Sequence, residues 1–350
     1  MTASPRQDRP RLADLGVGPG AHPRGPHNAI TDVPGVLVGH SSIHTDRLHT
    51  GVTAIVPAMM GPQRRGLPAA LAVGNGYGKL VGATQIQELG IIETPILLTS
   101  TLSVFRVADA LLGHMLARPG YEDVTTLNPV VGETNDGFLS DIRTRPLGAQ
   151  QVEAALADAS TGPVAEGSVG AGSGTVALGF KGGIGTASRI VAVGDASFTV
   201  GAVVQSNFSG TLSIAGVPMP ASELVPGPDA ATVGNSCMIV VATDAPLDAR
   251  QLARLARRAV FAMRGVGADF AQGSGDYAIA FSVGDDVAPR DELLSPLFGA
   301  TMDAVEESLV NSILAATTQI HASGRVAHAI PPEEVARRLA AAGVVADATR

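Results

Sequence analysis

The sequence predicts an α+β chain built in layers, with helices on both sides of a block of antiparallel strands. Three observations predict it. Residues 175–207, "TVALGFKGGIGTASRIVAVGDASFTVGAVVQSN", form a train of short apolar runs joined by Gly-rich turns, which is the pattern of hairpins. Helical periodicities stand before that block, at 103–117 and 149–159, and after it, at 248–264 and 297–317. Of the 350 residues 45% are hydrophobic, enough for a full core. Faces of this kind must bury against one another, either as two stacked sheets between helices or as one sheet with helices over it.

The elements follow in order. Residues 1–29 are rich in Pro, Gly and charge and read as an N-terminal arm; 30–350 reads as a single domain without repeats or linkers. Residues 52–58 and 68–75 predict strands, and 79–90 predicts a helix closed by Gly90. Residues 94–100, "TPILLTS", read as a buried strand, and 103–117 and 149–159 as helices. After the hairpin block, 236–243 is a strand and 248–264 an amphipathic helix with Leu252, Leu255, Ala259 and Met263 on one stripe. Residues 276–283 predict a strand, and 297–317 a long helix with Met302, Val305, Leu309 and Ile313 inward. The last helix opens with Pro331 and Pro332 and closes at Gly343, the usual asymmetry of helix ends. With aromatics at 3% and 42 glycines, the core is expected to be Ala, Val, Leu and Ile held by tight turns.

Composition excludes several functions. A formal net charge of -8 argues against a nucleic-acid partner, whose phosphates favour a basic face. A single cysteine, Cys237, permits neither an intrachain disulfide nor a cysteine zinc cluster. The first twenty residues carry no apolar signal core, and no apolar run approaches the ~18–20 residues of a membrane span, so a cytoplasmic protein without a membrane partner is expected. The Gly-rich stretches 167–180 and 74–79 match neither a phosphate loop nor a dinucleotide fingerprint, which leaves tight turns and close backbone packing as their reading. No histidine spacing fits a metal site, so no metal and no cofactor are expected.

One junction resists a purely structural reading. In "ATVGNSCMIVVATDAPL" (231–247) the polar Gly-Asn-Ser runs directly into an apolar strand, which sets the Ser236 hydroxyl at the rim of the core. A serine in that place can attack the carbonyl before it. An N→O acyl shift and hydrolysis then cut the chain between Asn235 and Ser236. The new terminal serine holds a nucleophilic hydroxyl and an α-amine whose reference pKa of ~7.7–8 suits a general base at neutral pH. Polar blocks at 133–142, 205–210 and 273–276 likewise end apolar strands with hydrogen-bonding groups.

Five separated blocks, "GPHNAITDVPGVLVGH" (25–40), "GNGYGKLVG" (74–82), "PVVGETNDGFLSDI" (129–142), "GFKGGIGTASR" (179–189) and "VGNSCMIVVATDAPL" (233–247), resemble the L-aminopeptidase/D-amidase-esterase family, which includes the β-peptidyl aminopeptidases and a pantetheine hydrolase. The resemblance spans roughly residues 10–320. It implies a four-layer αββα sandwich of the N-terminal-nucleophile-hydrolase kind with its own connectivity. It also implies self-cleavage into fragments 1–235 and 236–350 that stay associated, often as an assembly of several such heterodimers. By the family pattern Ser236 is the nucleophile, Asn207 an oxyanion donor, Ser274 and Asp276 the supporting serine and acid, and Glu133 the carboxylate for the substrate amine. Two positions depart from that pattern. Asn135 stands where the best-known aminopeptidases have an oxyanion tyrosine, and Asp276 where some members have Glu.

The expected function is a self-processing serine aminopeptidase acting on short peptides or amino-acid amides and esters. The alternatives are a small-molecule amidase of the pantetheine or β-peptide kind and a non-catalytic ligand-binding relative. A nucleotide-binding protein using the Gly loops is a further rival. An uncut chain would favour the binding readings.

Overall fold

The computed structural model describes residues 9–226, 235–284 and 291–346. β1 (Val36–His44) and β2 (His49–Pro57) pair as a hairpin, followed by β3 (Leu67–Gly76), α1 (Ala83–Leu89), the short β4 (Ile91–Ile92), β5 (Ile96–Ser100), α2 (Val104–Leu116), β6 (Val130–Thr134) and α3 (Ala149–Asp158). A small hairpin, β7 (Val176–Ala177) and β8 (Phe180–Lys181), precedes the long pair β9 (Ile184–Val193) and β10 (Ala196–Asn207). A second small hairpin, β11 (Ser213–Ile214) and β12 (Val217–Pro218), and the single turn α4 (Ala221–Leu224) lead towards β13 (Ser236–Thr243). After it come α5 (Ala249–Gly265), β14 (Gly275–Ser282), α6 (Leu294–Leu314), the hairpin β15 (Gln319–Ile320) and β16 (Val326–Ala327), and α7 (Pro332–Ala341).

Besides the small hairpins, the described residues form two large sheets: a four-stranded one in the order β1-β2-β5-β6 and a six-stranded one in the order β4-β3-β14-β13-β10-β9. Of the two readings left open by the periodicities, stacked sheets between helices is the one realised. Most neighbours are antiparallel, but β5–β6 and β13–β14 run parallel. The layers can be read from alternation along β13. Met238, Val240 and Ala242 face the other sheet, where they meet Ile55, Ile96 and Leu98. Cys237, Ile239 and Val241 face the opposite way, onto Leu252 and Leu255 of α5 and Leu309 and Ile313 of α6. On the far side of the four-stranded sheet, Val52, Ala54 and Leu97 pack against α2 and α3. The order is therefore helices, sheet, sheet, helices. A strand buried on both faces needs no polar alternation, which is why 237–242 reads as one apolar run.

Local deviations from the expected elements have physical causes. The helix foreseen at 79–90 begins only at Ala83, because Gly82 sits at φ +86° and residues 79–82 instead run beside β6, with the Val81 amide donating to Val131 O at 3.0 Å. Among the strands longer than two residues, β1 and β6 lie beyond the expected ones; β6 has five residues, too few for a clear period, and borrows its order from β5. Residues 9–29 are bound along their length. Leu12 is buried in the helix-side core, Arg11 pairs with Glu166 at 2.7 Å, and Arg24 pairs with Glu307 at 3.0 Å.

Candidate active site

Ser236 is the first residue of β13 and is 3% exposed. Its neighbours across the ladder are Asn207, the last residue of β10, and Gly275, the first of β14. Its hydroxyl hydrogen-bonds the carbonyl of Asn235, and the Gly275 amide donates to that same oxygen at 3.4 Å. The peptide carbonyl at the expected scissile bond thus has the serine on one side and a backbone N–H on the other. The preceding side chain is tied down as well: Ser209 Oγ lies 3.0 Å from Asn235 Oδ1 and 2.7 Å from Asp269 Oδ1.

Asn207 is buried and receives the Val176 amide on Oδ1 at 3.0 Å, which fixes its orientation. Its Nδ2 is then a buried donor with no partner. An orphaned buried donor costs about 1–3 kcal/mol, so it marks a place where an acceptor is meant to arrive. Ser274 and Asp276 form their own buried pair, the hydroxyl donating to Asp276 Oδ1 at 2.8 Å, with Oδ2 left unpaired. They do not line the pocket with Ser236. Register puts Asp276 opposite Cys237, one residue on from Ser236, and the Cys237 amide is among the groups that hold its carboxyl. Burial raises the Asp276 carboxyl to about 6, against the opposing pull of Ser274.

The pocket, of about 540 Å³, is walled by Asn235 and Ser236 on one side and by Glu133 and Asn135 on the other. Glu133 comes from β6 in the second sheet, so the site lies where the two sheets meet. Glu133 is 3% exposed; its Oε1 accepts the Lys79 amide at 2.9 Å and has the Lys79 ammonium at 3.7 Å. Asn135 is exposed, and its Oδ1 accepts the Gly137 amide at 2.9 Å. That leaves the Asn135 amide nitrogen free at the pocket wall. The six site residues therefore divide: Ser236, Glu133 and Asn135 share the pocket, Asn207 adjoins Ser236 by register, and Ser274 with Asp276 sits beside β13, at the start of β14.

Sequence reasoning missed Tyr77, Lys79, Tyr277 and Arg325. The "GNGYGK" block reads as tight turns, and two of its residues, Tyr77 and Lys79, line the pocket. A Cβ at Gly78 would stand 3.0 Å from the Tyr277 ring and 3.2 Å from Glu133 Oε1, so a larger residue there would press on both side chains. Burial, with the charges of Glu133 and Asp276 added, raises the Tyr277 phenol. A second charged centre lies near β6. Lys181 is fully buried and donates to the carbonyls of Gly172 and Gly182, both at 2.8 Å. Burial lowers its ammonium to about 7, and raises the carboxyl of Asp136, which accepts the Ser100 hydroxyl at 2.7 Å, to about 6. Among the described residues there is no group of three or more His, Cys, Asp or Glu arranged for a metal, and no helix long and apolar enough to cross a membrane.

Comparison with known proteins agrees with this architecture. The peptidase family S58 profile matches residues 28–327. The chain is 38% identical to β-peptidyl aminopeptidase BapA of Sphingosinicella xenopeptidilytica over 365 aligned residues, covering 94% of this chain and 90% of the relative. It superimposes on a Burkholderia sp. β-aminopeptidase with a TM-score of 0.88 at 38% identity, covering 95% of this chain and 99% of that one. The L-aminopeptidase D-Ala-esterase/amidase of Ochrobactrum anthropi, described as a new variant of the N-terminal-nucleophile hydrolase fold, gives a TM-score of 0.89 at 36% identity, covering 96% of this chain and 99% of that one. On this fold and these relatives the chain belongs to peptidase family S58, a hydrolase of peptide bonds with the N-terminal-nucleophile hydrolase fold.

Proposed function

We propose that this peptidase is a serine aminopeptidase that matures by cutting itself between Asn235 and Ser236. The observation that carries the reading is the Ser236 hydroxyl lying against the Asn235 carbonyl on one wall of a pocket whose other wall is Glu133. In maturation Ser236 Oγ attacks the Asn235 carbonyl carbon, its proton passes to the Ser236 nitrogen, and the C–N bond breaks to leave an ester. Water then hydrolyses the ester, giving a carboxylate on Asn235 and a free amine on Ser236. The Gly275 N–H stands where the oxyanion of this step forms.

In turnover the same hydroxyl attacks the substrate carbonyl, and the new α-amine takes and returns the proton. Asn207 Nδ2 donates to the oxyanion, a contribution of ~3–4 kcal/mol for a well-placed donor. Asn135 offers its amide from the opposite wall in place of a tyrosine. Ser274 and Asp276 act through the start of β13, holding the Ser236 amine in its proton-accepting orientation. Glu133 receives the substrate ammonium on its free oxygen. The relatives named as aminopeptidases support this choice over an amidase without amine selectivity. The reading includes an assembly of cut heterodimers and a cytoplasmic setting; the one thiol, Cys237, is buried and free, so the fold needs no oxidising compartment.

Intact mass measurement of the purified protein is expected to give two fragments, 1–235 and 236–350, and Ser236→Ala a single inactive chain. Active protein with an uncut 235–236 bond refutes the mechanism. A free-amine aminoacyl anilide is expected to be cleaved at least ~100-fold better than its N-acetyl twin, since ~2.7 kcal/mol of ammonium pairing gives that ratio. Glu133→Gln is expected to shrink the preference while leaving the chain cut. Equal hydrolysis of the two anilides replaces the aminopeptidase reading with a general amidase.

A further inference from the structure

The pocket that holds Ser236 carries three formal charges, and their sum is not zero. Glu133 is answered at close range by Lys79, 3.7 Å away, whose ammonium is also held by the Thr101 hydroxyl at 2.8 Å. The third charge is Arg325, on the turn between β15 and β16. No carboxylate pairs with it among the described residues. Its guanidinium is nonetheless fixed. Nε donates to the Phe138 carbonyl, Nη2 reaches His321 Nδ1 at 3.3 Å, and the group lies 5.9 Å from the Phe138 ring centre. His321 is itself oriented. Its Nδ1 accepts the Ser323 amide at 3.1 Å, and its Nε2 faces Asp141 Oδ1 at 3.4 Å. Two of the five guanidinium N–H groups are thus used, which leaves three for a ligand, including one on each terminal nitrogen. A guanidinium held by neutral acceptors, with its fork free on the wall of a pocket, matches a carboxylate bidentately.

We propose that Arg325 binds the free C-terminal carboxylate of the substrate, so that the preferred substrates are short peptides ending just beyond the bond cut. This rests on the aminopeptidase reading above, in which Glu133 holds the other end of the substrate. A zwitterionic peptide then lies across the pocket, its ammonium at Glu133 and its carboxylate at Arg325, with Ser236 lining the same cavity. Phe138 and Ile142, on the same wall as Arg325, give the leaving residue an apolar seat. Blocking the C-terminus as an amide removes the partner of Arg325 and leaves its charge uncompensated.

The test measures kcat/KM for alanyl-alanine and alanyl-alanine amide, with the β-alanyl pair beside them, on the mature wild-type enzyme and on Arg325→Gln and Arg325→Lys. The wild type is expected to favour the free acid by at least tenfold, mostly through KM. Arg325→Gln is expected to bring the ratio within about twofold of unity, and Arg325→Lys to keep part of it. A wild type that cleaves acid and amide equally overturns the proposal whatever the variants do, and a ratio that survives in Arg325→Gln overturns it too. An alanyl p-nitroanilide, which has no carboxylate, separates the two readings. If the wild type cleaves the anilide but shows no acid preference, only the Arg325 assignment fails. If it cleaves neither the anilide nor the peptides, the aminopeptidase reading fails and this proposal with it.

Discussion

Ser209 and Asp276 are the residues at which small changes should be most telling. Ser209 joins Asn235 to Asp269, so it fixes the residue that must present its carbonyl to Ser236. Ser209→Ala is expected to slow self-cleavage on the order of 10- to 100-fold, the scale of losing reactant alignment, with the uncut chain accumulating on a time-resolved denaturing gel. Asp276 carries a carboxyl raised to about 6 by burial, and its ionised form is the better acceptor for the Ser274 hydroxyl. Lowering the pH through 6 protonates it, so kcat/KM is expected to fall on the acid side with an apparent pKa near that value. Asp276→Asn should lower the activity at pH 8 and erase that limb from the profile. An unchanged limb assigns the titration to another group.

At the level of elements, the outer helices approach their sheets through glycine. A Cβ at Gly185 of β9 would fall 1.9 Å from Ser308 O and 2.6 Å from Ser312 N, both backbone atoms of α6. A Cβ at Gly39 of β1 would meet Ala155 O at 2.3 Å and Ala159 N at 2.4 Å, at the end of α3. Neither contact can be relieved by a rotamer change. Gly185→Ala is therefore expected to destabilise by about 1–3 kcal/mol or more, as overpacking does, read as a lower urea midpoint. Ile239 of β13 is fully buried against the helix layer, and Ile239→Ala is expected to cost about 2–5 kcal/mol.

For the whole molecule, the decisive feature is the origin of the strands. In the six-stranded sheet, β13 and β14 lie in the middle, flanked by β3 and β4 on one side and by β10 and β9 on the other. Both central strands follow Ser236, and all four flanking strands precede it. A cut at 235–236 therefore leaves two chains interleaved in one sheet, and parting them would expose both faces of β13 and β14 to water. Gel filtration of the cut protein without denaturant is expected to show one species containing both fragments; two separate peaks would count against it. The N-terminal segment is held through a buried charge cluster. Glu307 of α6, fully buried, takes Arg189 at 2.6 Å, Arg24 at 3.0 Å and the Asn28 amide at 2.8 Å. Glu307→Ala leaves Arg189 buried without its counter-charge and is expected to cost about 3–5 kcal/mol, seen as a lower thermal midpoint.

The sequence by itself determined the elements with a long period, α2, α3, α5, α6 and the strands of the hairpin block, because hydrophobic repetition is a local property. It also singled out Ser236, because a polar turn fused to an apolar strand can be seen within ten residues. The family resemblance carried by ordered motif blocks then implied roles for Asn207, Glu133, Ser274 and Asp276. What only the tertiary structure decided is which of these meet. Glu133 and Ser236 share a pocket because two sheets stack, a relation between residues a hundred positions apart that no local period encodes. Lys79 and Arg325 were illegible for the same reason: a lysine in a glycine turn and an arginine in a two-strand hairpin look like surface residues, both stay exposed, and only the fold sets them on the wall of the Ser236 pocket. The placement of Asp276 beside the start of β13 likewise follows from the parallel pairing of β14 with β13, and burial there, which raises its carboxyl, is a property of the enclosed volume rather than of the chain.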